Sequence, residues 1–118
     1  MTDKRVQILQ LLQKRTGDGE IVWEQRSTNA FVAQVGSSVV QLEEIPSRSP
    51  EPDYKVSLFN EDGDLAESFT DVTLYDELDE RFYSTMQKLF VAARRSALGA
   101  DKTFDDIISA LSKPAENK

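Results

Sequence analysis

Acidic side chains are the residues of this sequence best suited to carry chemistry, since the chain contains no histidine and no cysteine. The densest group is the segment 60–64, Asn-Glu-Asp-Gly-Asp, with Glu67 just beyond it. Oxygen ligands at such spacing can bind Ca²⁺, but the distant bidentate glutamate of a calcium loop is missing. A β-hairpin turn accounts for the same residues, because Asn, Asp and Gly accept the positive φ angles of tight turns. The segment therefore predicts a turn that holds no metal.

A second acidic group begins the predicted C-terminal helix, and paired carboxylates can act in general acid–base catalysis. Its members are Asp76, Glu77, Asp79 and Glu80. Neither a nucleophile motif nor a glycine-rich phosphate loop accompanies them, and the commonest proton shuttle, thiolate nucleophile and zinc ligands are absent from the chain. We interpret the protein as non-enzymatic, with no cofactor. A carboxylate-based enzyme, with Tyr54, Tyr75 or Tyr83 as proton donor, is the alternative.

Charge is distributed unevenly along the 118 residues, whose net charge is −7. Residues 1–20 carry +1, residues 21–70 carry −6 and residues 71–118 carry −2. An acidic surface repels phosphate backbones and anionic lipids, so it disfavours nucleic-acid and membrane binding. It suits a basic partner, and the alternative interpretation is that the negative charge only keeps a small protein in solution. The sequence shows neither a secretory signal nor a run of about 20 apolar residues, so we expect a cytoplasmic protein.

A single α+β domain over residues 1–118 is predicted to position these groups. The predicted elements are an N-terminal helix (3–15), a β-meander within 21–69 with strands at 21–26, 30–35, 38–45, 54–60 and 65–69, a long helix (72–98), a short helix (104–112) and a flexible tail (114–118). Thr73 and Thr103 are the expected helix caps, and Gly99 is the expected stop between the two C-terminal helices.

Alternation of apolar and polar residues gives the predicted five-stranded antiparallel sheet two distinct faces. The apolar face comprises Ile21, Trp23, Phe31, Ala33, Val35, Val40, Leu42, Tyr54, Val56, Leu58, Leu65 and Phe69. We expect all helices to pack on that face, because their apolar stripes and this face can then be buried together.

The opposite face is the candidate partner-binding surface, with an apolar centre and a charged rim. Val22, Val32, Val39 and Phe59 form the centre, and Glu24 and Glu43 belong to the rim. A half-covered face with incidental valines is the alternative interpretation. The adjacent pair Arg94-Arg95 is a further candidate contact for an anion or a partner, unless it pairs with Glu43-Glu44 or Asp101.

Parts of the sequence resemble a group of small uncharacterised bacterial proteins. The resemblance lies in Trp23-Glu24, Phe31-Val32-Ala33, the run from Tyr54 to Gly63 and the run from Ala93 to Gly99, and it extends over about residues 6–112. It implies the α+β architecture and no particular activity. The outline is also similar to type III secretion chaperones, which are small acidic α+β dimers, although this chain lacks the helix that they insert between their strands.

The leading hypothesis is a protein-binding module, adaptor or chaperone-like, that acts through the open sheet face and forms a homodimer. An acidic inhibitor or immunity-type protein that blocks a basic nucleic-acid-processing partner is the second hypothesis. Fast, salt-sensitive association would distinguish it.

Overall fold

The computed structural model describes residues 3–114 and contains one five-stranded sheet and four helices in that part of the chain. The elements are α1 (Lys4–Gly17), β1 (Trp23–Ser27), β2 (Ala30–Val35), β3 (Ser38–Ile45), β4 (Asp53–Phe59), β5 (Leu65–Thr70), α2 (Asp71–Leu78), α3 (Tyr83–Ala97) and α4 (Ala100–Ser112). The strand order is β1-β2-β3-β4-β5 and every pair is antiparallel, which confirms the predicted α+β meander.

The core lies between the inner face of the sheet and the helices. Residues paired across antiparallel strands project to the same face, and Phe31, Leu42, Val56 and Phe69 form one such row. All four are buried, and the Phe31 ring meets Phe90 of α3 edge-on at 5.5 Å between centroids. The predicted apolar parity is therefore the buried one through most of the central strands β2, β3 and β4, and in the edge strands at Trp23 and Phe69.

Helix α1 is held at both ends by side-chain hydrogen bonds. Asp3 caps its N-terminus by accepting from the Arg5 backbone N–H, and the Arg5 guanidinium donates to Asp3 and to Glu77 of α2. At the other end the Trp23 indole N–H donates to Thr16 Oγ1 at 3.0 Å, inside the core. Between these ends the backbone of α1 lies against α3 and not against any strand, among the described residues.

The acidic segment 60–64 is the hairpin turn between β4 and β5, as predicted. Asn60 Oδ1 accepts hydrogen bonds from the backbone N–H groups of Asp62 and Asp64, both at 3.0 Å. Gly63 has a φ of 85°, a conformation that glycine adopts without steric cost. The side chains of Glu61, Asp62 and Asp64 are exposed.

Leu65 departs from the predicted parity. Leu58 pairs with Glu67 and Phe59 pairs with Leu65, so Ala66 is an extra residue in β5, a β-bulge. The bulge places Leu65 on the outer face beside Phe59, where it is exposed, and places Glu67 on the inner face. Sequence alternation could not reveal this, since one inserted residue reverses the parity of those before it.

The helix predicted over 72–98 is two helices. Asp79 ends α2 in the left-handed conformation, with φ 52°, and α3 begins at Tyr83. Thr70, and not Thr73, is the cap of α2: its Oγ1 accepts from the Thr73 N–H at 3.0 Å. The break lets α2 cover β4 and β5 while α3 crosses the inner face from β1 to β4.

The last helix begins earlier than predicted and packs differently. Gly99, with φ 64°, ends α3 and also precedes Ala100, the first residue of α4, so Thr103 lies inside the helix. Within the described residues, the backbone of α4 approaches α3 alone. Its apolar stripe, expected in the core, is exposed. The predicted flexible tail 114–118 lies outside the described residues from 115 onward.

Candidate interaction surfaces

The outer face of the sheet carries no helix among the described residues and gathers most of the predicted partner-binding residues. Glu24 pairs with Val32, and Val39 pairs with Phe59, so these side chains share that face. Val22 lies just before β1 and lines a shallow concavity of about 340 Å³ with Val32 and Val39. The predicted apolar centre therefore exists as a contiguous patch.

The β5 bulge enlarges this patch beyond what the sequence indicates. Leu65 continues the row formed by Gln34, Val39 and Phe59 and is 57% exposed. Alternation assigns Leu65 to the core, so only the register of β4 and β5 identifies it as an outer-face residue.

The charges on the outer face are partly balanced. Glu43 lies directly opposite Lys55 across β3 and β4, and opposite charges at facing positions attract one another. Glu24 is exposed on β1, near the edge of the patch. This arrangement is a mixed rim and not a concentrated acidic surface.

Arg94 and Arg95 do not belong to the outer face, because α3 lies on the other side of the sheet. Arg95 donates to Asp101 at 3.0 Å, and its guanidinium carbon lies 5.5 Å from the centroid of the Phe104 ring. One of the predicted alternatives, pairing with Asp101, is therefore the observed contact of Arg95. The Arg95 side chain therefore connects α3 to the first turns of α4.

An apolar groove, which sequence reasoning did not anticipate, lies between α1 and the inner face of the sheet. Its volume is about 760 Å³, and it opens at the end of the sheet that holds the β2–β3 and β4–β5 turns. Apolar side chains dominate its lining, chiefly Ile8, Leu11, Leu12, Val35, Val40 and Leu58. Arg15 and Glu20, which form an ion pair at 3.0 Å, stand at its rim.

The groove exists because the helices cover only part of the inner face. Helix α2 covers β4 and β5 at the opposite end, and α1 rests on α3 and leaves a gap above the strands. Val35 has the parity of a core residue and remains 43% exposed. The sequence does not reveal this gap, because its pattern predicts that the apolar stripe of α4 also packs on the inner face.

Helix α4 presents the most exposed apolar side chains that occur together on one element. Phe104, Ile107, Ile108 and Leu111 are 55%, 52%, 59% and 80% exposed. At 100° per residue these four positions form one stripe, and Asp101 and Asp105 lie along one side of it. Such a stripe is a typical recognition element for a hydrophobic groove.

Tyr54, one of the tyrosines considered as proton donors, lies in the core and makes two side-chain or backbone hydrogen bonds. Tyr54 is buried, and its hydroxyl donates to Glu44 at 3.3 Å. Burial, with a smaller contribution from the Glu44 charge, raises the pKa of Tyr54 to about 12, so the phenol stays protonated near neutrality. The backbone N–H of Tyr54 donates to Asp71 at 3.0 Å, which joins β4 to the start of α2.

Over residues 3–114, no three carboxylates converge in a geometry that could hold a metal ion. Burial raises the pKa of the Asp53 carboxyl, and the nearby Asp71 charge adds to that effect. Helices of these residues also lack the length and apolar character needed to cross a bilayer.

Comparison with known proteins does not indicate a function for this chain. Protein families, curated proteins and solved structures were each compared with the chain, and none of the three gives a match.

Proposed function

We propose that the protein is a non-enzymatic protein-binding module, adaptor or chaperone-like, whose principal contact is the apolar stripe of α4. The observation that carries the proposal is the exposure of all four large apolar side chains of that helix. Large contiguous apolar surface on a soluble domain is a mark of interaction sites.

The stability of α4 supports the same conclusion. The helix has 13 residues and buries none of them, while isolated helices shorter than about 12–15 residues are marginal in water. Helices in proteins gain most of their stability by packing an apolar face. A partner that covers Phe104, Ile108 and Leu111 would supply that packing.

The outer sheet face is the second surface of the module. Its apolar side chains are less exposed than those of the α4 stripe, apart from Val22 and Leu65. Glu43 faces Lys55, so the face lacks the concentrated negative charge that an inhibitor of a basic nucleic-acid-processing protein would present. The proposal therefore favours an adaptor over an acidic inhibitor.

Affinity capture with surface variants tests the proposal. Tagged wild-type protein is compared with Ile108→Lys in α4 and with the double variant Val32→Lys, Phe59→Lys in the sheet. Ser109→Lys is the matched control, since it adds the same charge to the polar side of α4.

We expect Ile108→Lys to lose the captured partner. Ser109→Lys should capture as much partner as the wild type, and the amount captured should depend on salt concentration in the same way. Loss with the sheet variant alone would transfer the site to the outer face. Equal capture by all variants, with circular dichroism showing that they are folded, would contradict a binding role for either surface.

A further inference from the structure

We propose that the partner of α4 is a second copy of this chain, and that the α4 stripe of each copy occupies the groove between α1 and the sheet of the other. This inference rests on the proposed function and names its partner. It gives the protein a reciprocal, twofold dimer built from two equivalent helix-in-groove contacts.

The two surfaces are complementary in shape and do not meet within one copy. The α4 stripe is convex and apolar, and the groove is concave and lined mainly by aliphatic side chains such as Leu11, Val35 and Leu58. None of the residues lining the groove belongs to α3 or α4. Both surfaces are therefore exposed in a single copy. The convex apolar stripe of one copy can cover the concave apolar groove of another.

The junction between α3 and α4 keeps the helix away from the groove of its own copy. Leu98 N–H donates to Arg94 O at 2.9 Å, Gly99 N–H donates to Ser96 O at 3.3 Å, and Thr103 N–H donates to Gly99 O at 2.9 Å. The two-residue connector is thus hydrogen-bonded on both sides, and the Arg95–Asp101 ion pair joins the two helices across it. Redirecting α4 into its own groove would break these contacts, whereas a second copy is reached without any change.

Charge complementarity favours a second copy over an unrelated apolar segment. Helix α1, one wall of the groove, carries Lys4, Arg5, Lys14 and Arg15 and no acidic residue. Helix α4 carries Asp101, Asp105 and Asp106 against Lys102, a net charge of −2. Several of these charges are already paired within one copy: Arg5 with Asp3 and Glu77, Arg15 with Glu20, Asp101 with Arg95, and Asp106 with Lys102. Lys14 of α1 and Asp105 of α4 belong to none of these pairs, so they are the opposite charges that a second copy can bring together.

A reciprocal dimer also buries twice the area of a single helix-in-groove contact. A 13-residue helix is about 20 Å long and buries a limited area by itself, whereas stable interfaces bury at least about 1,200 Å² in total. A twofold axis uses the same contact twice and brings the two bodies together between the exchanged helices.

Disulfide trapping tests the arrangement directly, because the chain has no cysteine of its own. Ile108→Cys is prepared with a longer tag and mixed with untagged Leu11→Cys under mild oxidation. Each copy then holds one thiol, so a mixed disulfide can form only between copies. Both positions are half exposed, so neither substitution is expected to disturb folding.

The expected result is a dominant mixed disulfide between positions 108 and 11. The control mixture, Ser109→Cys with Leu11→Cys, should cross-link at least several-fold less, because Ser109 points away from the stripe. A predominance of the 108–108 disulfide would overturn the proposal in favour of α4 packing on α4. A monomer with no mixed disulfide would overturn it in favour of a different protein as occupant.

Sedimentation equilibrium of untagged variants supplies the second measurement. Ile108→Lys and Leu11→Lys should each weaken dimerisation by about ten- to hundred-fold, the loss expected when a buried apolar side chain is replaced. Wild-type protein that is monomeric at high concentration refutes the dimer. The broader binding role would still stand in that case if Ile108→Lys, and not Ser109→Lys, loses a captured partner.

Discussion

Helices α3 and α4 follow one another in the chain, are of similar length, and are both amphipathic, yet they have opposite fates. Helix α3 spans 15 residues and buries Met86, Leu89, Phe90 and Ala93 against the sheet and α1. Helix α4 spans 13 residues and buries none. The two helices are separated only by Leu98 and Gly99.

The difference shows that amphipathicity identifies the apolar side of a helix but not the surface that it meets. Both helices have the spacing that sequence analysis assigns to a core. The turn at Gly99 directs α4 away from the sheet, so its stripe is available to another molecule. In one helix the pattern encodes folding, and in the other we infer that it encodes association.

The largest expected effect comes from removing a buried leucine of α3. Leu89→Ala should lower the free energy of unfolding by about 2–5 kcal/mol, because Leu89 is fully buried and its truncation leaves a cavity. Urea unfolding at low protein concentration measures the change. A loss below about 1 kcal/mol would contradict the difference between α3 and α4, since the packing of α3 would then contribute no more to the free energy of unfolding than that of an exposed helix.

A smaller effect should arise where the end of α1 reaches the sheet. Thr16→Val keeps the shape of the side chain but leaves the buried Trp23 indole N–H without its acceptor, which should cost about 1–3 kcal/mol. Thr103→Val, on the exposed helix α4, is the matched control and should cost little. Trp23 is the one tryptophan of the chain, so its fluorescence reports the local change during unfolding.

The end of the sheet that α2 covers, where Tyr54 is buried, should lose stability at high pH. Since the folded-state pKa of Tyr54 is about 12 against an ordinary value of 10.0, the native state holds the proton more tightly. This contribution to stability is complete below pH 10 and is lost as the pH rises towards 12. Tyr54→Phe should therefore show a shallower fall in melting temperature above pH 10 than the wild type. Tyr75→Phe, which removes an exposed hydroxyl, is the control, and equal slopes for Tyr54→Phe and wild type would refute the assignment.

The smallest expected effect is the counterpart of the first. Leu111→Ala makes the same chemical change as Leu89→Ala, but on the exposed stripe of α4. At concentrations where copies are separate, it should alter the free energy of unfolding by no more than about 0.5 kcal/mol. At high concentration the difference from wild type should increase if copies associate through α4. A large change in dilute solution would show that Leu111 packs within its own copy.

Local chemistry was sufficient to predict most of the fold. Alternation located the strands, the Asn60 segment identified the β4–β5 turn, and Gly99 correctly marked the end of α3. The break at Asp79 was missed, because the spacing of Leu74, Leu78, Phe82 and Met86 suits one continuous helix. Aspartate in the left-handed conformation leaves no comparable periodic signal.

The candidate site was predictable only in part, because it depends on how elements meet. The outer-face valines follow directly from parity, and the structure places them together. Leu65 depends on the bulge at Ala66, and the groove depends on the gap between α1 and the strands. These are properties of register and helix placement, which no single segment encodes.

The packing of α1 on α3 has a consequence for synthesis on the ribosome. Helix α1 is synthesised before the sheet and presents Leu9 and Leu12, which the native fold buries, while α3, on which it packs, follows all five strands. The meander needs only neighbouring strands to pair, so it can form during elongation. Helix α1 must wait, and the nascent chain exposes its apolar side until α3 has been made. The order of elements therefore delays closure of the core until α3 has been synthesised, after all five strands.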